Sequence, residues 1–343
     1  MAYDPTYPGQ DVATLTALSL EKIKKELIDS ASEDYATYYL LTSNGRVDYE
    51  DGGTVITEPL MYDLNKTISS YVAGQAYNTE RPSGFTRLYY KWAYVGGTIV
   101  IDGPTEFENS GSNGIVSMTK AFIQQLKISF ADAMNTMFLG DGTGNAGADL
   151  MGLNTLIEVG GSNPSDWSTV GNVNSGTNEW WRNYWLDASS TVWGTGAAAY
   201  GITQLKNARR QCIKPGMGAP DVFLTGLAQY GLLEHALESN IVYNMPALAD
   251  KKYADVGFGG IRIDQTPVVY DIAMDTAMAQ TWLLINTKAL RLVIGKNKAF
   301  DVSPPVEHPW MDAKIMKAKM YGQLTCLGRR DCLGRLKLNA ASA

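Results

Sequence analysis

A strand-forming, aromatic segment between residues 50 and 100 most constrains how this chain can fold. Thr54–Tyr62 and Leu88–Tyr94 each have the composition of a β-strand, and a shorter run of the same kind follows at Thr98–Ile101. Turn-forming residues at Gly74 and around Gly84 separate the first two runs. The pattern therefore predicts a long two-stranded arm over residues 50–100 with an ordered tip.

The predicted arm is rich in large aromatic side chains, which are Tyr62, Tyr71, Tyr77, Phe85, Tyr89, Tyr90, Trp92 and Tyr94. A two-stranded ribbon is only marginally stable alone, and it leaves the polar groups of its strand edges unpaired. Its rings therefore either close over the chain's own body as a lid or anchor the arm on another chain. The residues alone leave both alternatives open.

The strongest helix pattern runs from Ile115 to Leu139. Apolar side chains recur there at helical spacing, at Ile115, Met118, Phe122, Leu126, Phe130, Met134 and Met137 or Phe138. Ser112 or Asn113 is a suitable N-terminal cap, and Gly140 suits the position just after the helix. We predict a core-packed helix long enough to form the spine of the fold.

The pattern changes to compact α/β from Ile202 to about residue 297, and long strands are predicted over residues 300–338. Two shorter helices are predicted at Ser19–Asp29 and from the aromatic cluster at Trp180 to about Trp193. The elements predicted in the α/β lobe are helices Ile202–Lys214 and Leu227–Glu238 and strands Pro220–Thr225, Ile261–Ile263, Val268–Tyr270, Trp282–Ile285 and Leu290–Ile294.

Composition excludes several classes of protein. The 343 residues are 45% hydrophobic and carry a formal net charge of −6, so a core is expected and a phosphate-neutralising surface is not. Neither a signal peptide nor an apolar run of membrane-spanning length is evident, which predicts a soluble protein made in the cytoplasm. Cys212, Cys326 and Cys332 suit buried thiols, although a disulfide between the last two stays open.

No segment forms a convincing catalytic, cofactor or metal site. Residues 142–147 match GxGxxG but follow a predicted helix instead of a strand, so a loop is expected there. His235 and His308, the only two histidines, have no partner at metal-ligand spacing. Asp271 and Asp275 could share one helical face, but solvated surface positions are the default interpretation. We expect no enzyme activity, no cofactor and no metal.

The order of these features resembles the major capsid proteins of tailed bacteriophages, which have the Hong Kong 97-type fold. The resemblance covers residues from about 50 to 338. It is carried by the aromatic arm, the helix at 115–139, and the junction of Leu139 to Gly144 with Met151 to Leu153. Further landmarks are Trp180 to Arg182, Pro220 and Asp221, Gly257 and Phe258, Pro267 to Asp271, and Leu284 to Thr287.

The resemblance implies an α+β fold with four parts. These are an N-terminal arm at 1–49, an extended β-hairpin loop (the E-loop) at 50–100, a peripheral domain with the long spine helix at 101–199 and 298–343, and an α/β axial domain at 200–297. Some family members cross-link a loop lysine. Here the loop tip carries Arg81, and its lysines, Lys66 and Lys91, lie near the base, so no cross-link is expected.

The resemblance also implies partners and a place of action. Copies of the chain would form pentamers and hexamers of an icosahedral virion shell around double-stranded DNA, with a separate scaffolding protein, a portal and in some cases a decoration protein. The alternatives are an encapsulin-like nanocompartment shell and a soluble hydrolase. The residues expected to contact neighbouring subunits are Tyr71, Tyr77, Arg81, Phe85, Tyr90 and Trp92.

Overall fold

A computed structural model describes residues 35–43, 47–81, 83–108, 118–189, 198–213, 218–238, 261–330 and 332–338. The predicted helix Ser19–Asp29 and the proposed caps Ser112 and Asn113 lie outside the described residues. The helices of more than one turn are α1 Ala36–Ser43, α2 Gly103–Glu108, α3 Met118–Leu139, α4 Ala198–Gln211, α5 Leu227–Glu238 and α6 Ile272–Ala277.

The strands in chain order are β1 Val47–Glu50, β2 Ile56–Met61, β3 Phe85–Tyr90, β4 Ala93–Asp102, β5 Thr169–Val170, β6 Val173–Asn174, β7 Tyr184–Ala188, β8 Val222–Thr225, β9 Arg262–Ile263, β10 Thr266–Tyr270, β11 Thr281–Ile285, β12 Leu290–Gly295, β13 Asp301–Val302, β14 Val306–Glu307, β15 Ala313–Cys326 and β16 Gly334–Leu338. The alternation of buried and exposed residues along β2 and β4 agrees with the predicted strand patterns.

Helix α3 joins two parts of the hydrophobic interior, which confirms the predicted long helix from Met118 onward. Its C-terminal half enters the larger core through Phe130 and Phe138. Its N-terminal half packs through Phe122 and Leu126 on a smaller cluster formed by β4 and β15. Because one rigid helix contacts both regions, it fixes their relative position.

The first sheet is built around the 14-residue strand β15. Its order is β1-β12-β15-β13, and β4 and β14 also pair with β15. The antiparallel pairing of β4 with β15 runs from Asp102 opposite Ala313 to Ala93 opposite Gly322. The predicted strand at Thr98–Ile101 is therefore part of the body of the molecule, since β4 leaves the arm and joins the tail strand.

The second sheet has the order β7-β16-β11-β8-β10-β9. Strand β7 replaces the helix predicted to run from Trp180 to about Trp193, which was wrong. A 3-10 turn at Glu179–Trp181 leads into it, and β7 pairs in parallel with β16. Pairing with a strand about 150 positions away in sequence, which a local pattern does not reveal, gives this short aromatic segment its extended conformation.

Sheet membership crosses the predicted boundaries at residues 199 and 298. Strand β12, assigned to the axial domain, pairs with β15 and β1 of the first sheet. Strands β7 and β16, assigned to the peripheral domain, extend the second sheet beside β11. The chain thus exchanges strands between the two sheets, and the four-part division itself stays a prediction.

Asp271 is fully buried, so its interpretation as a solvated surface residue was wrong. Its carboxylate caps α6 by accepting a hydrogen bond from the backbone N–H of Ala273 at 3.0 Å. It also accepts bonds from the backbone N–H of Thr37 at 2.9 Å and from Asn135 Nδ2 at 3.1 Å. Asp271 therefore joins α1, α3 and α6, and its bonds explain why a carboxylate occurs inside the protein.

The junction after α3 follows the predicted loop course. Gly152 packs against the end of α3, where a side chain would overlap the carbonyl oxygens of Met137, Phe138 and Gly140. Residues 142–147 form a short turn with left-handed backbone at Asn145 and Ala146. No strand precedes this turn, so it lacks the geometry that a dinucleotide-binding loop requires.

The three cysteines are buried, and no disulfide joins these described residues. Within the described part of the chain, no group of His, Cys, Asp and Glu side chains has the arrangement of a metal site. A membrane-spanning helix is likewise not found among the described helices.

Candidate subunit-interaction surface

The arm consists of the hairpin β2–β3 and the intervening loop, residues 62–84. Strand β2 pairs antiparallel with β3, from Ile56 opposite Tyr90 at the base to Met61 opposite Phe85 at the outer end. No further strand pairs with either one among the described residues. This part of the chain therefore forms the two-stranded ribbon that the sequence predicts. At its base, the edge of β3 is bonded to the subunit itself, because the backbone N–H of Tyr89 donates to Gly171 O at 3.1 Å.

Beyond its base, the described residues of the arm loop make local hydrogen bonds. The backbone N–H of Thr67 donates to Asn65 Oδ1 at 2.9 Å, and that of Gln75 donates to Val72 O at 2.9 Å. Residues 68–81 are exposed throughout. Bonds that span two or three residues set the shape of turns but do not tie the loop to the body of the subunit.

The loop exposes a large apolar surface. Ile68 is 85% exposed, Phe85 is 76% exposed and Tyr77 is 68% exposed. Tyr71 lies against Tyr77 with ring centroids 4.9 Å apart, so these two rings form one exposed patch. Contiguous apolar surface of this kind on a projecting segment is typical of a protein-interaction site.

Four of the predicted contact residues are therefore accessible to a neighbouring chain. Tyr71, Tyr77, Arg81 and Phe85 are all exposed. One ring at the loop's base is anchored on the subunit itself, because Tyr62 stacks on Trp180 with centroids 4.6 Å apart. The arm is thus fixed at its base and accessible along its outer part.

The prediction that Tyr90 contacts another subunit is corrected by the structure. Tyr90 is 1% exposed and lies in the larger core. Its hydroxyl donates a hydrogen bond to the carbonyl oxygen of Cys326 at 3.0 Å. Burial raises the pKa of Tyr90, so its hydroxyl stays protonated and remains a donor. At the base of the hairpin, side chains facing the body enter the core, and Tyr90 has that orientation.

Trp92 occupies an intermediate position. It is half-buried and packs against the same core as Tyr90. Its Nε1 is buried and has no hydrogen-bond acceptor among the described residues. The ring therefore contributes to the subunit interior, and the prediction of an intersubunit anchor at Trp92 is untested.

A buried carboxylate lies where the arm meets the first sheet. Glu58 of β2 is 6% exposed. Thr325 Oγ1 donates to Glu58 Oε1 at 3.3 Å, and Arg291 Nη1 lies 3.8 Å from Glu58 Oε2. Burial raises the pKa of Glu58, the charge of Arg291 opposes this, and Glu50 and Asp48 add to the increase. The ionised carboxylate is therefore disfavoured in the folded state.

We expect Glu58→Gln to stabilise the unassembled subunit at about pH 7 and to have little effect at about pH 3.5. A carboxyl group whose pKa is raised by folding stabilises the fold below its ordinary pKa. This stabilisation is lost as pH rises through the folded pKa. Glutamine keeps an acceptor for Thr325 and does not ionise. Urea unfolding at both pH values measures the effect, with the exposed Glu307→Gln as the control. An equal gain at both pH values would contradict it.

A second exposed apolar surface has no counterpart among the features predicted from the sequence. It lies where β14 turns into β15 and includes Trp310, which is 87% exposed, with Met311 and Phe107. The turn is fixed by a hydrogen bond from the N–H of Gly103 to Asp312 O at 2.9 Å. In the sequence, this surface is indicated only by a tryptophan directly after a proline in a polar segment. That pattern does not show whether the ring is exposed or buried.

No protein-family model matches this chain, and no curated protein matches it. Solved structures match over nearly its whole length. The structure of the cyanophage A-1(L) capsid asymmetric unit contains a chain with a TM-score of 0.67 and 14% identity, covering 96% of this chain and 100% of that one. For the capsid of the native GTA particle, the TM-score is 0.61 at 14% identity, with 96% and 98% covered.

The encapsulin of the holo-SrpI complex from Synechococcus elongatus PCC 7942 is also similar. Its TM-score is 0.57 at 12% identity, with 99% of this chain and 98% of that chain covered. At such low identity the likeness shows the fold alone. This chain has the α+β capsid fold, and the predicted Hong Kong 97-type fold class is confirmed.

Proposed function

We propose that this chain is the major capsid protein of a tailed bacteriophage, a structural subunit that assembles with its copies into an icosahedral head. The observation that carries the proposal is the arm loop, which exposes apolar side chains and whose described residues beyond the base make local hydrogen bonds. Burial of such a surface on another chain is favourable at roughly 25 cal/mol for each Å² of apolar area.

The proposed contacts between subunits use the arm loop residues Tyr71, Tyr77, Arg81 and Phe85. Two rings that already touch, those of Tyr71 and Tyr77, offer a rigid apolar anchor at low entropic cost. Arg81 offers a guanidinium that can bind a carboxylate of a neighbour. The exposed surface around Trp310 provides a second contact region for copies of the chain.

Head-to-tail contacts of this kind form closed rings when the rotation between neighbours closes, as in pentamers and hexamers. Each contact can be weak, because many contacts act together in a shell. In this assembly the N-terminal arm (1–49) and the E-loop (50–100) extend over neighbours. The peripheral domain (101–199 and 298–343) and the axial domain (200–297) form the wall.

The net charge of the chain supports the proposed contents of the shell. A chain with a formal net charge of −6 suits a shell that encloses double-stranded DNA without binding its sequence. A separate scaffolding protein, a portal and a decoration protein are the further partners that we propose. The finished protein belongs to the virion.

The second candidate function is a nanocompartment shell that encloses protein cargo. The similarity to the SrpI encapsulin over 99% of this chain favours it. Both candidates predict self-assembly, and only the contents of the particle distinguish them.

We expect the purified full chain, expressed with and without a candidate scaffolding protein, to form particles that light scattering and electron microscopy detect. Nuclease-protected DNA inside particles purified from infected or induced cells supports a phage head, whereas an enclosed enzyme supports a nanocompartment. A monomer at all concentrations tested, with and without the scaffolding protein, would contradict both proposals.

A further inference from the structure

A small cavity of about 260 Å³ lies on the second sheet, among side chains of three neighbouring strands. Trp185 and Asp187 of β7 lie opposite Arg335 and Lys337 of β16, and Lys337 lies opposite Thr281 of β11. These residues share one face of the sheet, because side chains alternate along each strand. The alternate side chains of these strands, such as Leu336 of β16 and Trp282 of β11, face the other side of the sheet. There they form a hydrophobic core with α4 and α5.

Arg335 has an unusual environment for a cation. Arg335 is 6% exposed. Its Nη1 donates two hydrogen bonds, to Asn154 Oδ1 at 2.6 Å and to Ile157 O at 3.2 Å. Both acceptors are neutral. Its Nε is buried and has no acceptor among the described residues. Burial lowers the pKa of Arg335 to about 10, which expresses the cost of a charge away from water.

The other charged groups at the cavity do not balance Arg335. Hydrogen bonds from Ser189, and to a smaller extent the charge of Lys337, lower the pKa of Asp187, which is therefore ionised at neutral pH. Asp187 lies opposite Lys337 in the strand register, so these two charges offset each other. Among the described residues that line the cavity, one positive charge, that of Arg335, remains without a counter-charge.

We propose that this cavity binds a carboxylate group carried on a short apolar stem. The Nη2 group of Arg335, which makes no described hydrogen bond, can donate a charge-assisted hydrogen bond to a carboxylate oxygen. One uncompensated positive charge fits a monoanion better than a phosphate dianion. Val159, Met278 and Trp185 line the same cavity and suit the stem. The volume lies below the roughly 300–1,000 Å³ of sites for larger ligands. The inference does not depend on shell assembly.

The carboxylate can come from a free organic acid or from an Asp or Glu side chain of another copy of this chain. Equilibrium dialysis of radiolabelled butyrate against unassembled subunits and assembled particles tests both sources. We expect saturable binding of about one butyrate per subunit, reduced about tenfold or more by Arg335→Gln, since a charge-assisted bond is lost. Arg210→Gln, the same change at an exposed position, is the matched control.

Binding to subunits and particles alike identifies a free acid as the ligand. Binding to unassembled subunits alone indicates that a neighbour's carboxylate fills the cavity in the shell. Either result supports the site. Absence of saturable binding to both forms, undiminished binding by Arg335→Gln, or equal displacement of butyrate by uncharged butyramide overturns it.

A second pair of variants guards against misfolding of Arg335→Gln. Val159 lines the cavity and is half-exposed, so polar side chains are tolerated there. Val159→Glu supplies a tethered carboxylate, and Val159→Gln is its uncharged match. We expect Val159→Glu to have a Tm a few degrees higher than that of Val159→Gln and to bind no butyrate. Equal Tm values for the two variants, together with normal butyrate binding by the glutamate variant, would refute the proposal.

Discussion

Arg329→Met is expected to destabilise the subunit by about 3–5 kcal/mol, because it leaves a buried carboxylate without its partner. Arg329 is fully buried, and its Nη2 lies 2.8 Å from Glu158 Oε2. The guanidinium also donates to Leu156 O at 2.8 Å and to Ser175 Oγ at 2.7 Å. It lies over the ring of Trp181, with Cζ 5.8 Å from the centroid. One side chain thus connects the segment 156–183 to the tail.

Urea unfolding of the unassembled subunit measures this loss, and Arg262→Met at an exposed position is the matched control. The double variant Arg329→Met with Glu158→Gln removes the unpaired negative charge and keeps an acceptor for Ser168, which Glu158 binds. We expect the double variant to be more stable than Arg329→Met alone. If the losses of stability caused by Arg329→Met and by Glu158→Gln simply add in the double variant, the ion pair is not the source of the destabilisation.

Replacing Tyr71, Tyr77 and Phe85 together by serine is expected to abolish assembly while leaving the subunit folded. Each exposed ring that anchors an interface contributes about 2 kcal/mol, or roughly thirty-fold in an equilibrium constant. The effect is repeated at every subunit of a shell, so the concentration needed for assembly rises steeply. The same rings make little difference to the isolated subunit, because they are exposed in it.

Light scattering and electron microscopy measure assembly, and urea unfolding of the unassembled chain measures the fold. Tyr270→Ser is the control, since Tyr270 is an exposed ring on β10, outside both the N-terminal arm and the E-loop. In contrast to the triple variant, Trp92→Ala is expected to lower the stability of the isolated subunit, because the half-buried ring of Trp92 packs against the core. Normal assembly of the triple variant would show that the arm loop is not an intersubunit contact.

Much of the local structure was predictable because it depends on short-range periodicity. The apolar spacing that ends at Leu139 predicted helix α3, and the prediction for α5, Leu227–Glu238, matches the observed bounds. The hairpin followed from two strand-forming runs with turn residues between them. Exposure of Tyr71, Tyr77 and Phe85 agrees with their being far from the base of that hairpin.

The sequence by itself determined helices α3 and α5 and the arm hairpin, since each depends on neighbours close in the chain. Only the tertiary structure decided that Tyr90 faces the core, that Asp271 is a buried cap, that β7 is a strand and that the buried Arg335 donates to neutral acceptors. The physical reason is that these properties arise from pairing between segments more than a hundred residues apart. Local periodicity shows which face of an element is apolar, but it does not show which distant strand covers that face.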